Sequence, residues 1–171
     1  MNMILPVITL YQPWATWIMR GWKTIETRTH NRFKSLDKKT ILIHAGMNTD
    51  SAAINNPYLT KEQLLHEPDE MVNGFILGSA YSLYLGCLDP DDSVNALIEC
   101  ETLRYGLLLE NVEKFKEPIP VKGEMGIWYF DMDKMAHLRK RILDLGNEAM
   151  RSNDTELNNF SISFSLATIG G

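Results

Sequence analysis

Apolar positions along the chain change period several times, and each change marks an expected element. Residues 3–11 (MILPVITLY) form a nearly continuous aliphatic and β-branched run, which predicts a buried first strand with Pro6 near its edge. From Pro13 the spacing becomes helical, with Trp14, Trp17 and Ile18 three and four apart. Proline suits the first turn of that short helix, because its missing N–H would be unpaired there anyway. Gly21 then supplies a left-handed stop. Residues 24–29 and 41–44 read as two short strands around a polar, basic loop.

The stretch 48–73 differs in character, with an Asn-Pro pair, acidic patches and a helical span over 60–66 opened by a Thr60/Gln63 capping box. It is expected to be an insertion lying over the main body. Residues 75–88 predict a long strand in which Gly78 and Gly86 mark bulges or sharp bends. The acidic Asp89-Pro90-Asp91-Asp92 run is a turn. Two further strands are expected over 104–112 and 127–130, joined by a loop containing Pro118, Pro120 and Gly123. Over 132–150, Met135, Leu138, Ile142, Leu145 and Ala149 share one helical face. In the tail, Phe160, Ile162, Phe164 and Leu166 alternate with small polar residues, which suits an added edge strand; disorder competes, given the polar lead-in and the Gly170-Gly171 end.

With 171 residues and 44% hydrophobic content, the chain can bury one sizeable core but is short for two independent domains. A domain over 1–131 with a helix over 132–151 and a tail over 152–171 is therefore expected. The net charge of −5 disfavours tight, sequence-independent binding along a phosphate backbone, which depends on many basic contacts. Yet positions 20–39 hold seven basic residues against two acidic ones, so an anionic ligand could be received locally. Lys34, Lys38 and Lys39 read equally well as a solvated, solubilising loop. Cys87 and Cys100 lack metal-ligand or disulfide spacing, and the four histidines are scattered, so no metal and no cofactor is expected. No apolar run is long enough to cross a bilayer and no cleavable leader is legible, which predicts a cytoplasmic protein without a membrane partner.

The densest chemistry lies at Lys23, Glu26 and Arg28. In an extended segment Thr24, Glu26 and Arg28 share one face while Ile25 and Thr27 take the other, with Lys23 at the rim. A carboxylate between two cations can accept from a ligand amine, and the cations can hold a carbonyl or phosphate oxygen. An exposed strand with ordinary surface ion pairs has the same spacing. Trp14 reads either as a stacking wall for a base or, like Trp17, as helix core. His44, on a short apolar strand, reads as a satisfied core histidine at least as readily as a site residue.

Five blocks, in order, resemble an ASCH domain: Tyr11-Gln12-Pro13-Trp14-Ala15, Gly21-Trp22-Lys23-Thr24-Ile25-Glu26-Thr27-Arg28, Ile43-His44-Ala45-Gly46, Tyr105-Gly106-Leu107-Leu108-Leu109-Glu110-Asn111 and Val121-Lys122-Gly123. The resemblance implies an α+β, PUA-like fold: a small β-barrel of five to six strands with flanking helices and a C-terminal helix. It implies RNA, a nucleotide or a modified nucleoside as partner, held in a cleft lined by Lys23, Glu26 and Arg28, with Gln12, Trp14, His44 and Glu110 added from neighbouring blocks. Relatives that remove an acyl group from the exocyclic nitrogen of a cytidine use a threonine three positions after the lysine; here that position is Glu26. A carboxylate nucleophile would give an anhydride in place of an ester. Binding of a base is thus the leading expectation. The alternatives are an amidohydrolase acting on a substrate such as N4-acetylcytidine, with Lys23 and Glu26 catalytic, a nuclease, or a protein-interaction module built on the C-terminal helix and tail.

Overall fold

A computed structural model describes residues 3–65 and 71–134, together with 136, 140 and 144. Contacts divide the chain into two units, Leu5–Phe130 and Met1–Ile4 with Asp131–Gly171. In the second unit the Met3 amide donates to the Asp133 carboxylate at 2.9 Å, and the Met132 amide to the Met3 carbonyl at 3.0 Å. Most of the expected 132–151 helix and all of the 152–171 tail lie outside the described residues, so the edge-strand and disorder readings of the tail stand where they were.

Six strands form one mixed sheet. They are β1 (Ile4–Gln12), β2 (Ile25–Arg28), β3 (Lys39–Thr49), β4 (Phe75–Cys87), β5 (Tyr105–Pro120) and β6 (Ile127–Asp131). Their order is β2-β5-β4-β3-β1-β6. Strand β1 runs parallel to β3, with Ile8 beside Ile43, while β3–β4, β4–β5 and β5–β2 are antiparallel. The mixed α+β character and the strand number agree with expectation. The barrel does not: the pairing order has two ends, at β2 and β6, and the sheet is not closed.

The core follows the pleat. Ile8 and Leu10 on β1, Ile41, Ile43 and Ala45 on β3, and Leu107 and Leu109 on β5 send alternate side chains to one buried face. Ala15 and Ile18 of helix α1 (Trp14–Met19) cover that face, with Phe33 and Leu36 from a 3-10 turn over Asn31–Leu36. The basic loop expected between β2 and β3 is therefore anchored by two buried apolar residues, which its surrounding lysines hide from a composition reading. Gly21 has φ +72°, the left-handed stop its position after α1 implied.

Several elements run longer than the sequence pattern suggests. Strand β3 has 11 residues and β5 has 16, because β5 continues through its polar half as the partner of β4 as far as Pro120 opposite Phe75. Pairing, not hydrophobicity, defines that half. The glycine positions in β4 do coincide with register shifts, between Ile76 and Gly78 and between Tyr84 and Gly86. In the 48–73 stretch, Thr60 and Gln63 exchange two hydrogen bonds, 2.8 and 3.1 Å, at the start of α2 (Lys61–Leu65). Ala53 and Leu59 of that stretch pack with Trp17 and Leu97. After the Asp89 turn, a short helix α3 (Ser93–Ala96) closes on Leu97 in the left-handed conformation. Nothing in the apolar spacing announced it.

Candidate functional site

Helix α1, strand β2, the end of β1 and the turn after α3 enclose a cleft of about 380 Å³. Its lining includes Trp14, Lys23, Glu26, Arg28, Asp50 and Arg104. The stop at Gly21 turns the chain so that Lys23 enters beneath α1, and both Trp22 and Lys23 send their amides to the Trp17 carbonyl.

Lys23 lies at the floor of the cleft and not at its rim: it is only 2% exposed. Its ammonium donates to the Ile25 carbonyl at 2.8 Å and to the Ala96 carbonyl, and stands 3.5 Å from Glu26 Oε2. Ala96 ends α3, so its carbonyl has no partner within the helix and a cation is a suitable substitute. The same ammonium sits 5.2 Å from the centre of the Trp14 ring. Burial draws the Lys23 pKa below the usual lysine value of 10.5, with the adjacent Glu26 charge opposing.

Glu26 is 4% exposed and is held between two cations, Lys23 through Oε2 and Arg28 through Oε1. Arg28 also donates to the Thr27 carbonyl at 3.0 Å and to the Thr9 carbonyl at 3.4 Å, while its guanidinium lies over Phe33. Its side chain remains 34% exposed. Thr27, expected to face away from Glu26, also borders the cleft. Strand β2 ends the sheet, so an edge as well as a face of it meets this space. Trp14 borders the cleft too, its indole N–H donating to Asp50 Oδ2 at 3.1 Å.

Gln12, His44 and Glu110 do not join this group. Gln12 is fully buried; its oxygen accepts from the Thr16 amide and hydroxyl at 3.1 and 2.9 Å, and its amide donates to the Val72 carbonyl at 2.9 Å. It holds α1 to the sheet. His44 is buried, with Nε2 3.1 Å from the Val121 carbonyl and Nδ1 3.2 Å from the Thr9 hydroxyl. A carbonyl can only accept, so Nε2 carries the proton. Burial lowers the His44 pKa from its ordinary 6.5. A Cβ on Gly123 would collide with the imidazole ring, which ties the Val121-Lys122-Gly123 block to His44. Glu110 is exposed on β5, across from Tyr81 of β4.

Asp50 and Arg104 were not singled out in the sequence. Asp50 carries a local signal, since it caps the following 3-10 turn by accepting from the Ala52 amide at 3.1 Å. Arg104 stands alone before β5 and reaches the cleft only through the tertiary fold. Among the described residues, no group of three or more His, Cys, Asp or Glu is placed to hold a metal. No helix among them is long and apolar enough to cross a membrane.

No family model matches the chain, and no curated protein matches it in sequence. Solved structures do. The crystal structure of an ASCH protein from Zymomonas mobilis is similar with a TM-score of 0.50 and 16% identity, over 79% of this chain and 93% of that one. Two mutant forms of the same protein follow with TM-scores of 0.48 and 0.47, also at 16% identity and over 79% of this chain, covering 96% and 94% of theirs. The likeness to the first of these structures, over nearly the whole of that chain, gives this chain the ASCH-domain fold.

Proposed function

We propose that the cleft receives a single nucleobase, presented by RNA or by a nucleotide. The observation that carries this reading is the Glu26 carboxylate, nearly buried at the base of an open cleft and fixed on both oxygens by Lys23 and Arg28. A fixed carboxylate retains further lone pairs for a base amino group. Trp14 supplies an aromatic wall, and the volume suits one nucleoside and not a duplex. His44 lies behind one lining residue, 3.2 Å from the Thr9 hydroxyl.

The hydrolase reading is less well served. The Lys23 side chain is directed at two carbonyls and a carboxylate, so it would have to leave these partners before it could remove a proton from a nucleophile. Glu26 takes the position of the threonine in the acyl-removing relatives.

Calorimetric titration with the four ribonucleosides and their 5′-monophosphates tests the proposal. Glu26→Gln, which keeps the shape and removes the charge, is expected to weaken binding by about tenfold or more, the worth of a charge-assisted hydrogen bond. No saturable binding by any of the eight would sink the reading. Incubation with N4-acetylcytidine is expected to release no cytidine; release that Glu26→Gln abolishes would replace binding with catalysis.

A further inference from the structure

We infer that Arg104 is the anion-binding residue of this cleft, and that the preferred ligand therefore carries a phosphate next to the base it inserts. The inference rests on the nucleobase reading and refines its ligand class.

Charge accounting inside the cleft leads to it. Three cations, Lys23, Arg28 and Arg104, and two carboxylates, Glu26 and Asp50, belong to the lining, so one positive charge is left over. Lys23 directs its ammonium at the Ile25 and Ala96 carbonyls and at Glu26. Arg28 is bound to Glu26 and to the carbonyls of Thr27 and Thr9. These two cations, which sequence spacing singles out for phosphate, already direct most of their donors at the protein. Arg104 is different. Its Nε donates to the Glu99 carbonyl at 3.0 Å, and among the described residues neither Nη1 nor Nη2 has a partner.

The side chain is also held at both ends. The Arg104 carbonyl accepts from the Leu88 amide at 2.9 Å, which fixes the backbone at the entry to β5, and the Nε bond fixes the other end of the stem. Arg104 belongs to the cleft lining, and its Nη1 and Nη2 remain as the fork that matches two oxygens of a phosphate. Holding that fork in place beforehand reduces the ordering cost of binding. A free nucleoside would leave the surplus charge unmet. A nucleoside monophosphate or an internal phosphodiester of a single strand would meet it.

The experiment compares the wild type with Arg104→Ala and Arg104→Gln; the latter keeps a donor for the Glu99 carbonyl should the alanine variant lose stability. Each is titrated with the four ribonucleosides, the four 5′-monophosphates and a short single-stranded RNA lacking terminal phosphates. In the wild type, a monophosphate should bind about tenfold or more tightly than its own nucleoside. Both variants should bring the monophosphate down to the affinity of its nucleoside. RNA bound more tightly than the monophosphates, and weakened by both variants, would assign the phosphodiester of a strand; the reverse ranking would assign a free nucleotide. Equal binding of nucleoside and monophosphate by the wild type would overturn the inference while leaving the nucleobase reading intact. So would a phosphate preference that survives both variants. Absence of binding by every ligand would remove the nucleobase reading and this inference with it.

Discussion

Lys23 shows how a side chain picked out by its spacing can take a different place in the folded molecule, at the floor of the cleft and not at its rim. Its spacing from Glu26 and Arg28 marks it as chemistry, yet at 2% exposure it also stitches β2 to the end of α3. Lys23→Met would leave two buried carbonyls unpaired and remove one partner of a buried carboxylate, at a cost of about 3 to 5 kcal/mol by urea denaturation. A cost under about 1 kcal/mol would show the ammonium to be dispensable to the fold. Arg28→Ala should lower thermal stability as well as affinity, because Glu26 would keep only one of its two cations. His44 makes a pH-dependent contribution. Its folded pKa is lowered from 6.5 by burial, so the unfolded chain takes up the proton first on acidification. Stability from this group is complete above about pH 6.5 and is lost as pH falls from there toward the folded pKa. Melting temperatures measured between pH 7.5 and pH 5 should fall less steeply in His44→Gln than in the wild type; parallel curves would exclude the contribution.

Strand β2 is only four residues long, and its place in the site comes from what flanks it. Leu109 donates its amide to the Thr24 carbonyl at 2.8 Å and Thr24 donates to the Asn95 carbonyl at 3.0 Å, which clamps the motif between β5 and α3. Helix α3 in turn is held by Asn56, whose buried amide donates to the Leu97 carbonyl at 2.7 Å. Asn56→Ala should therefore cost about 1 to 3 kcal/mol and weaken nucleotide binding without removing any cleft residue. Unchanged affinity at reduced stability would separate α3 from the site. Elements with strong periodicity, such as β1, α1 and β4, are legible in the sequence because burial on one side leaves a mark every two or every three to four residues. The polar half of β5 and the four-residue α3 leave no such mark. The first exists because β4 offers a partner, the second because its end is capped by tertiary contacts.

Charge over the whole molecule limits how nucleic acid can be engaged. A chain of net charge −5 with one surplus cation in its cleft releases few counterions on binding. A plot of log affinity for a short single-stranded RNA against log salt concentration should have a slope no steeper than about −2, corresponding to one or two phosphates at about 0.7 each. A slope of about −5 would place the binding surface along a broad basic face, such as the shallow depression beside Arg32 and Lys34, and not in the cleft.

The blocks from Tyr11 to Gly123 point to an α+β fold, and spacing alone keeps Lys23, Glu26 and Arg28 within six positions of one another. Local spacing does not say which cations are consumed by the protein itself. Arg104 and Asp50 come to the cleft from 76 and 22 positions after Arg28. Only the pairing of β5 with β2 and the packing of the 51–55 turn on Trp17 bring them there. The partners of Lys23 and Arg28 are mostly backbone carbonyls, which every residue has and no motif reveals. For that reason the grouping of Lys23, Glu26 and Arg28 could be read along the chain, while the division of labour among the charges of the cleft required the folded molecule.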